Sequence, residues 1–478
     1  MTQGRDGISL APRGARKFMG IARRLSVVTA MLAVAALLAS TGTSFAKSKK
    51  STSSHNGLLD SVTLSNYGSA FSGSIETFAA GAGATASPKL WVKGGNTLLG
   101  IGTGPEGINV SSSSSHHVAI TIPIDLLDFT GFGAAAGLST HAGTGFVEIF
   151  SGGANGNSAP ESIIGTPNVS FGVPNTTAID IPQGVAFEDP FDGINPGREI
   201  LAVTNTLPTV IGPDSGEAIC AAPPAGAGFS VGTVTEYDVN TLGPGINSIV
   251  PFNNNPVTAL DDTTGDVISA NATIGGCLSF LLGPVADAFD ETGFLFVVNE
   301  AAVSAGGPGF VSVYEPGAAG DVFPSAVVGL LGPTAGDFVD PARVAVSSDS
   351  DFFDDIIFVT DVGDNSIKIF APFTNFSDTA FLFQGTKLAE IQGGSTKLKR
   401  PEGVALGMAS GALYVVNNNK NSLEMFTDVG AIVESGGGNI APTLIIEGKK
   451  PKMNFPVDVA IAGFTPSASP TETISGDR

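Results

Sequence analysis

Short apolar segments, each bounded by Gly, Asn or Pro, recur along most of the chain. The clearest series is PEGVAL at 401–406, ALYVVNN at 412–418, NSLEMF at 421–426 and APTLIIEG at 441–448. β-Branched and aromatic residues between turn-forming residues are typical of antiparallel strands. The series therefore predicts one small sheet made of four consecutive strands.

The same order of segments recurs upstream, and a repeat of this length determines the architecture. Two further copies show all four segments; they occupy 341–346, 355–361, 365–370 and 387–393, and 284–289, 293–300, 309–316 and 323–330. Two looser copies show three segments each; they occupy 182–187, 199–205 and 232–238, and 105–110, 118–123 and 145–150. Between the segments we expect Gly-, Pro- and Ser-rich loop insertions without strands, at 206–231 and 262–276.

A sixth copy is split between the two ends of the chain. It begins with PVDVAI at 456–461, and the segments at 61–66, 73–78 and 87–92 match the second, third and fourth strands of the 401–448 series. A sheet built from both ends closes a ring of repeats. The sequence thus predicts an all-β fold, a six-bladed β-propeller with four-stranded antiparallel blades.

The repeats resemble NHL-type propeller blades, whose pattern is a Pro-x-Gly-hydrophobic-Ala strand, an aromatic-Val-Ala-Asp strand and an Asn-x-hydrophobic strand ending in Phe. The segments within 401–426 and 341–370 match this pattern well. Three blades depart from it, since Ala286, Arg343 and Asp458 replace the Gly of the first strand. The resemblance covers nearly all of residues 61–462, and it implies a fold without implying an activity.

The N-terminus has the composition of a secretory signal peptide. Basic residues precede an apolar run at 25–38, and small residues ending in Ser44-Phe45-Ala46 follow it. The run is shorter than the roughly 20 residues of a membrane-spanning helix. We therefore expect a secreted or periplasmic protein with no membrane span in its mature form.

The expected organisation is a signal peptide at 1–46, a Ser/Lys-rich linker at 47–60, the propeller at 61–464 and a flexible tail at 465–478. Removal of residues 1–46 takes away six basic residues and one acidic residue, so the formal net charge changes from −21 to −26. Nucleic-acid binding depends on basic surfaces that neutralise phosphates. The sequence therefore predicts no nucleic-acid partner.

Cys220 and Cys277 are the only cysteines. An exported protein meets an oxidising compartment, where such a pair can form a disulfide. Two separately buried thiols are the alternative, and both interpretations remain open at this point.

If the resemblance holds, the first strands line the central channel and their starts share one face of the ring. Six polar residues at these starts are the candidate ligand-binding residues of the channel mouth: Glu106, Gln183, Asp287, Arg343, Glu402 and Asp458. Converging carboxylate and amide oxygens are the ligands that Ca²⁺ prefers. The alternative is a solvated channel held together by ion pairs around Arg343.

Other polar positions fit turn chemistry better than a functional site. Asn or Asp recurs where second strands end, at residues 66, 205, 299, 361 and 417, and Asn365 and Asn421 begin third strands. Asx side chains commonly stabilise turns through backbone N–H groups. A run of alternating acids is a weak metal candidate because it lacks the remaining ligands of an EF-hand; it comprises Asp349, Asp351, Asp354 and Asp355.

The sequence favours a binding module over an enzyme. Its four His residues, at 55, 116, 117 and 141, all precede the second blade, so several blades cannot contribute His to one site. We therefore expect a binding or scaffold propeller for an extracytoplasmic protein, peptide or glycan, without a required cofactor. The alternative is a calcium-dependent lactonase or ester hydrolase, similar to the six-bladed gluconolactonase group; a propeller lyase is less compatible with so few His residues.

Overall fold

The computed structural model describes 19 separate stretches of the chain, all of them within the compact unit Ser54–Arg478. These stretches are 57–68, 73–99, 104–113, 116–123, 145–166, 179, 181–188, 199–206, 220–221, 228–229, 232–247, 259–260, 267–268, 273–275, 279–300, 309–347, 355–377, 382–408 and 410–461. The predicted signal peptide and the predicted C-terminal tail lie outside them.

Six antiparallel sheets form a six-bladed β-propeller, as the repeats predicted. Blades are numbered here by the chain order of their innermost, first strands. Blade 1 contains Ile108–Val110, Val118–Pro123, Gly145–Phe150 and Ser162–Thr166. Blade 2 contains Pro182–Phe187, Ile200–Asn205, Thr233–Asp238 and Thr273–Gly275.

The later blades follow the same order from the channel outward. Blade 3 contains Pro284–Phe289, Leu295–Asn299, Phe310–Tyr314 and Ala326–Val328. Blade 4 contains Pro341–Ser347, Ile356–Asp361, Ser366–Ala371 and Thr386–Ile391. Blade 5 contains Pro401–Gly407, Ala412–Asn417, Ser422–Phe426 and Leu444–Ile446.

Blade 6 joins the two ends of the chain, which confirms the predicted closure. Its strands are Pro456–Ile461, Val62–Asn66, Ser74–Phe78 and Leu90–Val92. The first two pair antiparallel, with Val62 opposite Ile461 and Leu64 opposite Val459. The ring is therefore closed by backbone hydrogen bonds between strands that are almost 400 residues apart in sequence.

Six hydrophobic clusters of the described residues form a ring, and each fills the space between two neighbouring blades, while a smaller seventh cluster lies against blade 3. Leu64 of blade 6 packs with Tyr414 and Val416 of blade 5, for example. On its other side, blade 6 contributes Ala460 to a cluster built mainly on blade 1. Because each blade has an apolar residue set on both faces, no blade can bury its surface without both neighbours.

Hydroxyl groups near the ends of second strands connect successive first strands. Thr121 accepts a hydrogen bond from the Gly107 N–H of its own blade at 2.7 Å and donates to the Gln183 carbonyl of the next blade at 2.9 Å. Thr360 makes the corresponding bonds to Arg343 and Glu402, at 3.1 and 2.6 Å. These hydroxyls therefore set the spacing of the strands that surround the channel.

The outer edge of every blade is covered by the connection between the third and fourth strands of the following blade. Three of these covers are parallel strands, Gly245–Asn247 on blade 1, Leu382–Phe383 on blade 3 and Gly437–Gly438 on blade 4. The others are Gly320 opposite Ile274 on blade 2, Gly156 opposite Val92 on blade 6, and the Ala84 carbonyl bound to Glu447 N–H on blade 5. Exposed edge strands invite aggregation, and this arrangement protects them.

The expectation that the two insertions contain no strands is wrong. Residues 273–275, within the predicted 262–276 insertion, form the fourth strand of blade 2. Two antiparallel pairs of two-residue strands also occur. Cys220–Ala221 pairs with Gly228–Phe229, and Ala259–Leu260 pairs with Val267–Ile268. Strands this short carry too few alternating residues to be distinguished from a loop in the sequence.

Helical structure is minor in the described part of the chain. Val429–Glu434 is an α-helix, and single 3₁₀ turns occupy Val239–Thr241, Gly332–Thr334 and Asn418–Lys420. A further short strand, Phe376–Ser377, pairs antiparallel with Leu382–Phe383. No helix in the described residues has the length and hydropathy needed to span a membrane.

Third strands carry a buried polar residue at one equivalent position, which is a glutamate in three blades: Glu76, Glu148 and Glu424. None of the three carboxylates has a well-aligned hydrogen bond among the described residues. Burial raises the pKa of Glu76 to about 8 and that of Glu424 to about 7. These groups are therefore held as neutral carboxylic acids over much of the pH range in which free glutamate is ionised.

Removal of the C-terminal first strand should open the ring. A chain that ends after Asn454 lacks Val459 and Ala460, which fill the cores on both sides of blade 6. We expect it to lose cooperative thermal unfolding, measured by calorimetry. A chain ending after residue 462 is the matched control and should unfold as the full chain does; equal unfolding midpoints for both truncations would contradict the closure.

Glu76 should make the protein less stable as the pH rises. Its carboxyl is protonated in the folded state up to about pH 8 and ionises near pH 4.5 when unfolded, so its contribution is full below pH 4.5 and is lost towards pH 8. The Glu76→Gln variant should flatten the decline in unfolding free energy by about 1.4 kcal/mol per pH unit across this window. Chemical denaturation at several pH values measures it, and exposed Glu434→Gln should leave the slope unchanged.

Candidate functional site

The Arg343 side chain lies in the central channel and separates it into two compartments. On the side where the first strands start is a polar vestibule of about 480 Å³. On the side where these strands end is a second space of about 570 Å³, called here the lower cavity. Arg343 contributes to the walls of both, so its side chain lies at the boundary between the two spaces.

Charged and carbonyl groups from several blades hold the Arg343 guanidinium. Its Nε lies 3.3 Å from Oδ2 of Asp458, and one terminal nitrogen lies 3.9 Å from a carboxylate oxygen of Glu106. The other terminal nitrogen donates to the Val285 carbonyl at 3.0 Å. Arg343 is only 6 % exposed. A buried guanidinium of this kind fixes the first strands of blades 1, 3, 4 and 6 relative to one another.

The Arg343 side chain enters the channel because its strand position has room only for glycine between neighbouring first strands. In blades 1, 2 and 5 the equivalent residue is Gly, and the neighbouring first strand approaches closely. A Cβ on Gly184 would lie 2.6 Å from the Ala286 Cα, and one on Gly403 would lie 2.6 Å from the Asp458 Cα. Where Arg343 and Asp458 stand instead, their side chains must leave the strand contact and enter the channel.

The vestibule has an excess of acidic side chains. Its charged groups are Glu106, Glu300, Asp340 and Glu402 against the guanidinium groups of Arg343 and Arg400, and Gln183 also lies in its wall. Burial, opposed by Arg343 and reinforced by nearby carboxylates, raises the pKa of Glu106 to about 7. Desolvation and the neighbouring Asp340 carboxylate also raise the pKa of Glu300 to about 7. Protons are thus retained there mainly because burial disfavours the ionised carboxylates, and the neighbouring negative charges add to this effect.

Residues in left-handed backbone conformation form part of the vestibule rim. Arg400 and Phe455 have φ values of 53° and each directly precedes the Pro that starts a first strand. Their backbone N–H groups donate to the side chains of Asn365 and Asn421, at 2.6 and 2.5 Å. These Asn residues therefore support the rim of the following blade, which is a structural role.

Asx residues at second-strand ends are used by the fold. The side-chain oxygen of Asn299 accepts from Leu282 N–H at 2.9 Å, and that of Asn417 accepts from Lys399 N–H at 2.8 Å. Asp361 accepts from Val339 and Asp340 and also pairs with Lys368, 2.6 Å away. In each case the side chain holds the segment that leads into its own blade, so it does not face a ligand.

The six candidate residues of the channel mouth divide into two groups. Glu106, Gln183 and Glu402 lie in the vestibule wall. Asp287 and Asp458 do not; they lie one or two residues further along their strands and line the lower cavity. The Asp458 carboxylate forms an ion pair with Arg343 and accepts a hydrogen bond from Ile108 N–H at 3.1 Å. The single site at the channel mouth is therefore two sites with Arg343 between them.

Three vestibule residues were not found from the sequence. Glu300 directly follows the Asn that ends a second strand, and Asp340 and Arg400 directly precede the Pro of a first strand. Tyr67, Val362 and Phe455 stand at the corresponding positions of other blades and also line the vestibule. A sequence signal for these residues therefore exists: they directly flank the Pro that starts a first strand or the Asn that ends a second strand. The prediction was restricted to residues within the first strands.

The structure adds little support for the weaker candidates, which are the acidic run proposed for metal binding and the cysteine pair. Asp349, Asp351 and Asp354 lie outside the described residues, as does the Cys220–Cys277 pairing, since Cys277 and the Cys220 side chain are not described. Asp355 is buried at the edge of blade 4. Among the described residues no group of three or more His, Cys, Asp or Glu side chains is placed to hold a metal ion.

Loss of the Arg343 charge should leave buried carboxylates without a partner. The Arg343→Met variant is expected to lose about 3–5 kcal/mol of unfolding free energy at pH 7, the usual cost of breaking a buried ion pair. The loss should be smaller at pH 4, where protonation removes the charge of Asp458 and Glu106. Urea denaturation at both pH values measures it.

Arg400→Met is the matched control for Arg343→Met. Arg400 also pairs with a vestibule carboxylate, Glu402, but its side chain is 52 % exposed. Its loss should cost less than about 1 kcal/mol, as for surface ion pairs. Equal losses in the two variants would mean that Arg343 is not the buried charge that organises the channel.

No family model matches the chain, and no curated protein matches it. Solved structures do. A structure of a nidogen/laminin complex matches with a TM-score of 0.41 and 11 % identity, over 84 % of this chain and 98 % of the other. The periplasmic gluconolactonase of Pseudomonas aeruginosa matches with a TM-score of 0.42 and 15 % identity, over 84 % and 98 %. Both TM-scores lie below 0.5, so these likenesses give no basis for assigning a function.

Proposed function

We propose that the protein is an exported, non-catalytic binding propeller whose vestibule receives a positively charged group of a protein or peptide. The observation that carries this proposal is the acidic excess among the vestibule side chains, four carboxyl groups against two guanidinium groups. A lysine or arginine side chain would complement that excess. A neutral glycan would not, so a protein or peptide is the better fit.

The carboxyl groups of the vestibule are suited to reversible cation binding. Glu106 and Glu300 have pKa values of about 7, and a cation bound beside them would favour their ionised forms. Binding should therefore release protons and become tighter as the pH rises through 7. The side chain of Glu106 is 21 % exposed and that of Glu402 is 12 % exposed, so a ligand in the vestibule can reach both.

A calcium-dependent hydrolase is the alternative, and the side-chain geometry gives it less support. That activity would need Glu, Asn and Asp oxygens to converge on one ion. Here Glu106 and Asp458 are both directed at the Arg343 guanidinium. The Asn417 side chain holds Lys399 N–H instead of facing the channel. A guanidinium thus occupies the place where these oxygens meet.

A short peptide with one central lysine, paired with the same peptide acetylated at that lysine, tests the proposal by calorimetry. We expect the unmodified peptide to bind at least tenfold more tightly at low salt and more tightly at pH 8 than at pH 6. Glu402→Gln should weaken its binding, and Arg400→Gln should strengthen it because a competing cation is removed. Exposed Glu315→Gln is the control variant and should bind both peptides as the wild-type protein does.

Two results would overturn the proposal. One is equal binding of the two peptides by the wild-type protein, which would show that the vestibule does not select a positive charge. The other is calcium-dependent turnover in a screen of lactones and carboxylic esters, which would identify an enzyme. The screen uses the purified protein with Ca²⁺ and, separately, with a chelator.

A further inference from the structure

The lower cavity is a built space with walls from all six blades. Its volume is about 570 Å³, within the range of small-molecule sites. Its wall side chains are mainly Val, Ala, Leu, Ile and Phe, contributed by the C-terminal halves of the first strands. Each first strand is the last strand of its sheet, so backbone N–H and C=O groups along its inner edge also face the channel.

One ionisable group in this cavity has no partner. Asp287 is 7 % exposed, and neither of its carboxylate oxygens accepts a hydrogen bond from another described residue. The Asp287 side chain lies against Gly184 of blade 2, since a Cβ atom added to Gly184 would be 2.7 Å from Oδ1 of Asp287. Burying a carboxyl group without a partner is costly, so a residue of this kind commonly marks a site for a missing ligand.

The charge balance of the cavity indicates the sign of that ligand. Asp287 and Asp458 face one guanidinium, that of Arg343, which is already paired with Asp458. Asp290 and Glu291 add acidic side chains further along the wall, and Arg343 is the one basic residue among the described residues that line the cavity. This arrangement opposes an anionic ligand and leaves Asp287 to receive a cation.

We propose that the lower cavity binds a small amphipathic amine, with its ammonium group on Asp287 and its hydrocarbon part against the Val, Ala and Leu walls. The mouth is formed partly by Met408, an adaptable apolar side chain that is 44 % exposed. Burial of the methylene groups of a chain of about six carbons against these walls would favour binding. This site is independent of the vestibule, because Arg343 lies between them.

Proton release provides a second signature of the site. Burial raises the pKa of Asp287 well above its usual range, against the opposing effect of Arg343. The raised pKa favours the protonated form of the free carboxyl group, and a bound ammonium would favour the carboxylate. Binding of an amine should therefore be accompanied by release of protons.

Calorimetric titration with three six-carbon probes tests the proposal on the whole protein. At pH 7, n-hexylammonium should bind at least tenfold more tightly than 1-hexanol, and hexanoate should bind more weakly than either. Titrations in buffers of different ionisation enthalpy should show the release of a proton with hexylammonium and none with hexanol. Equal affinities for the amine and the alcohol would overturn the proposal, as would no binding at millimolar amine.

The Asp287→Asn variant separates the charge from the cavity. It should weaken hexylammonium binding at least tenfold and leave hexanol binding within about twofold. Its thermal unfolding should remain cooperative, which excludes loss of the fold as the cause. Exposed Glu315→Gln, outside both spaces, is the matched control and should bind hexylammonium as the wild type does. If Glu402→Gln lost the amine while Asp287→Asn kept it, the ligand would belong to the vestibule and not to the lower cavity.

Discussion

Antiparallel pairing between the two ends of the chain is the interaction on which the structure depends. Val62–Asn66 and Pro456–Ile461 form one sheet, and that sheet completes the two core clusters on either side of it. Without this pairing, blades 1 and 5 would each expose an apolar face. The stability of every blade therefore depends on a contact that forms only when nearly the whole chain has been synthesised.

The same ring geometry creates the candidate sites. On blades 1, 2 and 5 a glycine lets the first strand approach the next one so closely that a side chain has no room between them. Arg343 and Asp458 interrupt this pattern on blades 4 and 6, and their side chains meet in the channel. The chemistry of the channel is thus concentrated where the repeat is least regular, and one ion pair determines which groups face each end.

The sequence predicted the blades well because each strand repeats a fixed combination of apolar run and turn residue. It failed for Thr273–Gly275, since three residues show no alternation. The candidate site was predicted only in part. Counting from the Pro landmarks found Glu106 and Glu402, but the depth of Asp287 and Asp458 depends on bulges near the strand starts, where pairing shifts by one or two residues. Such shifts carry no clear sequence signal.

The covering of each outer edge has a consequence for protein engineering. A connection between third and fourth strands serves two blades at once, because Gly156 lies against Val92 and Gly320 against Ile274 of the preceding blades. A fused tag or inserted epitope at these places would uncover a neighbour's edge and favour self-association.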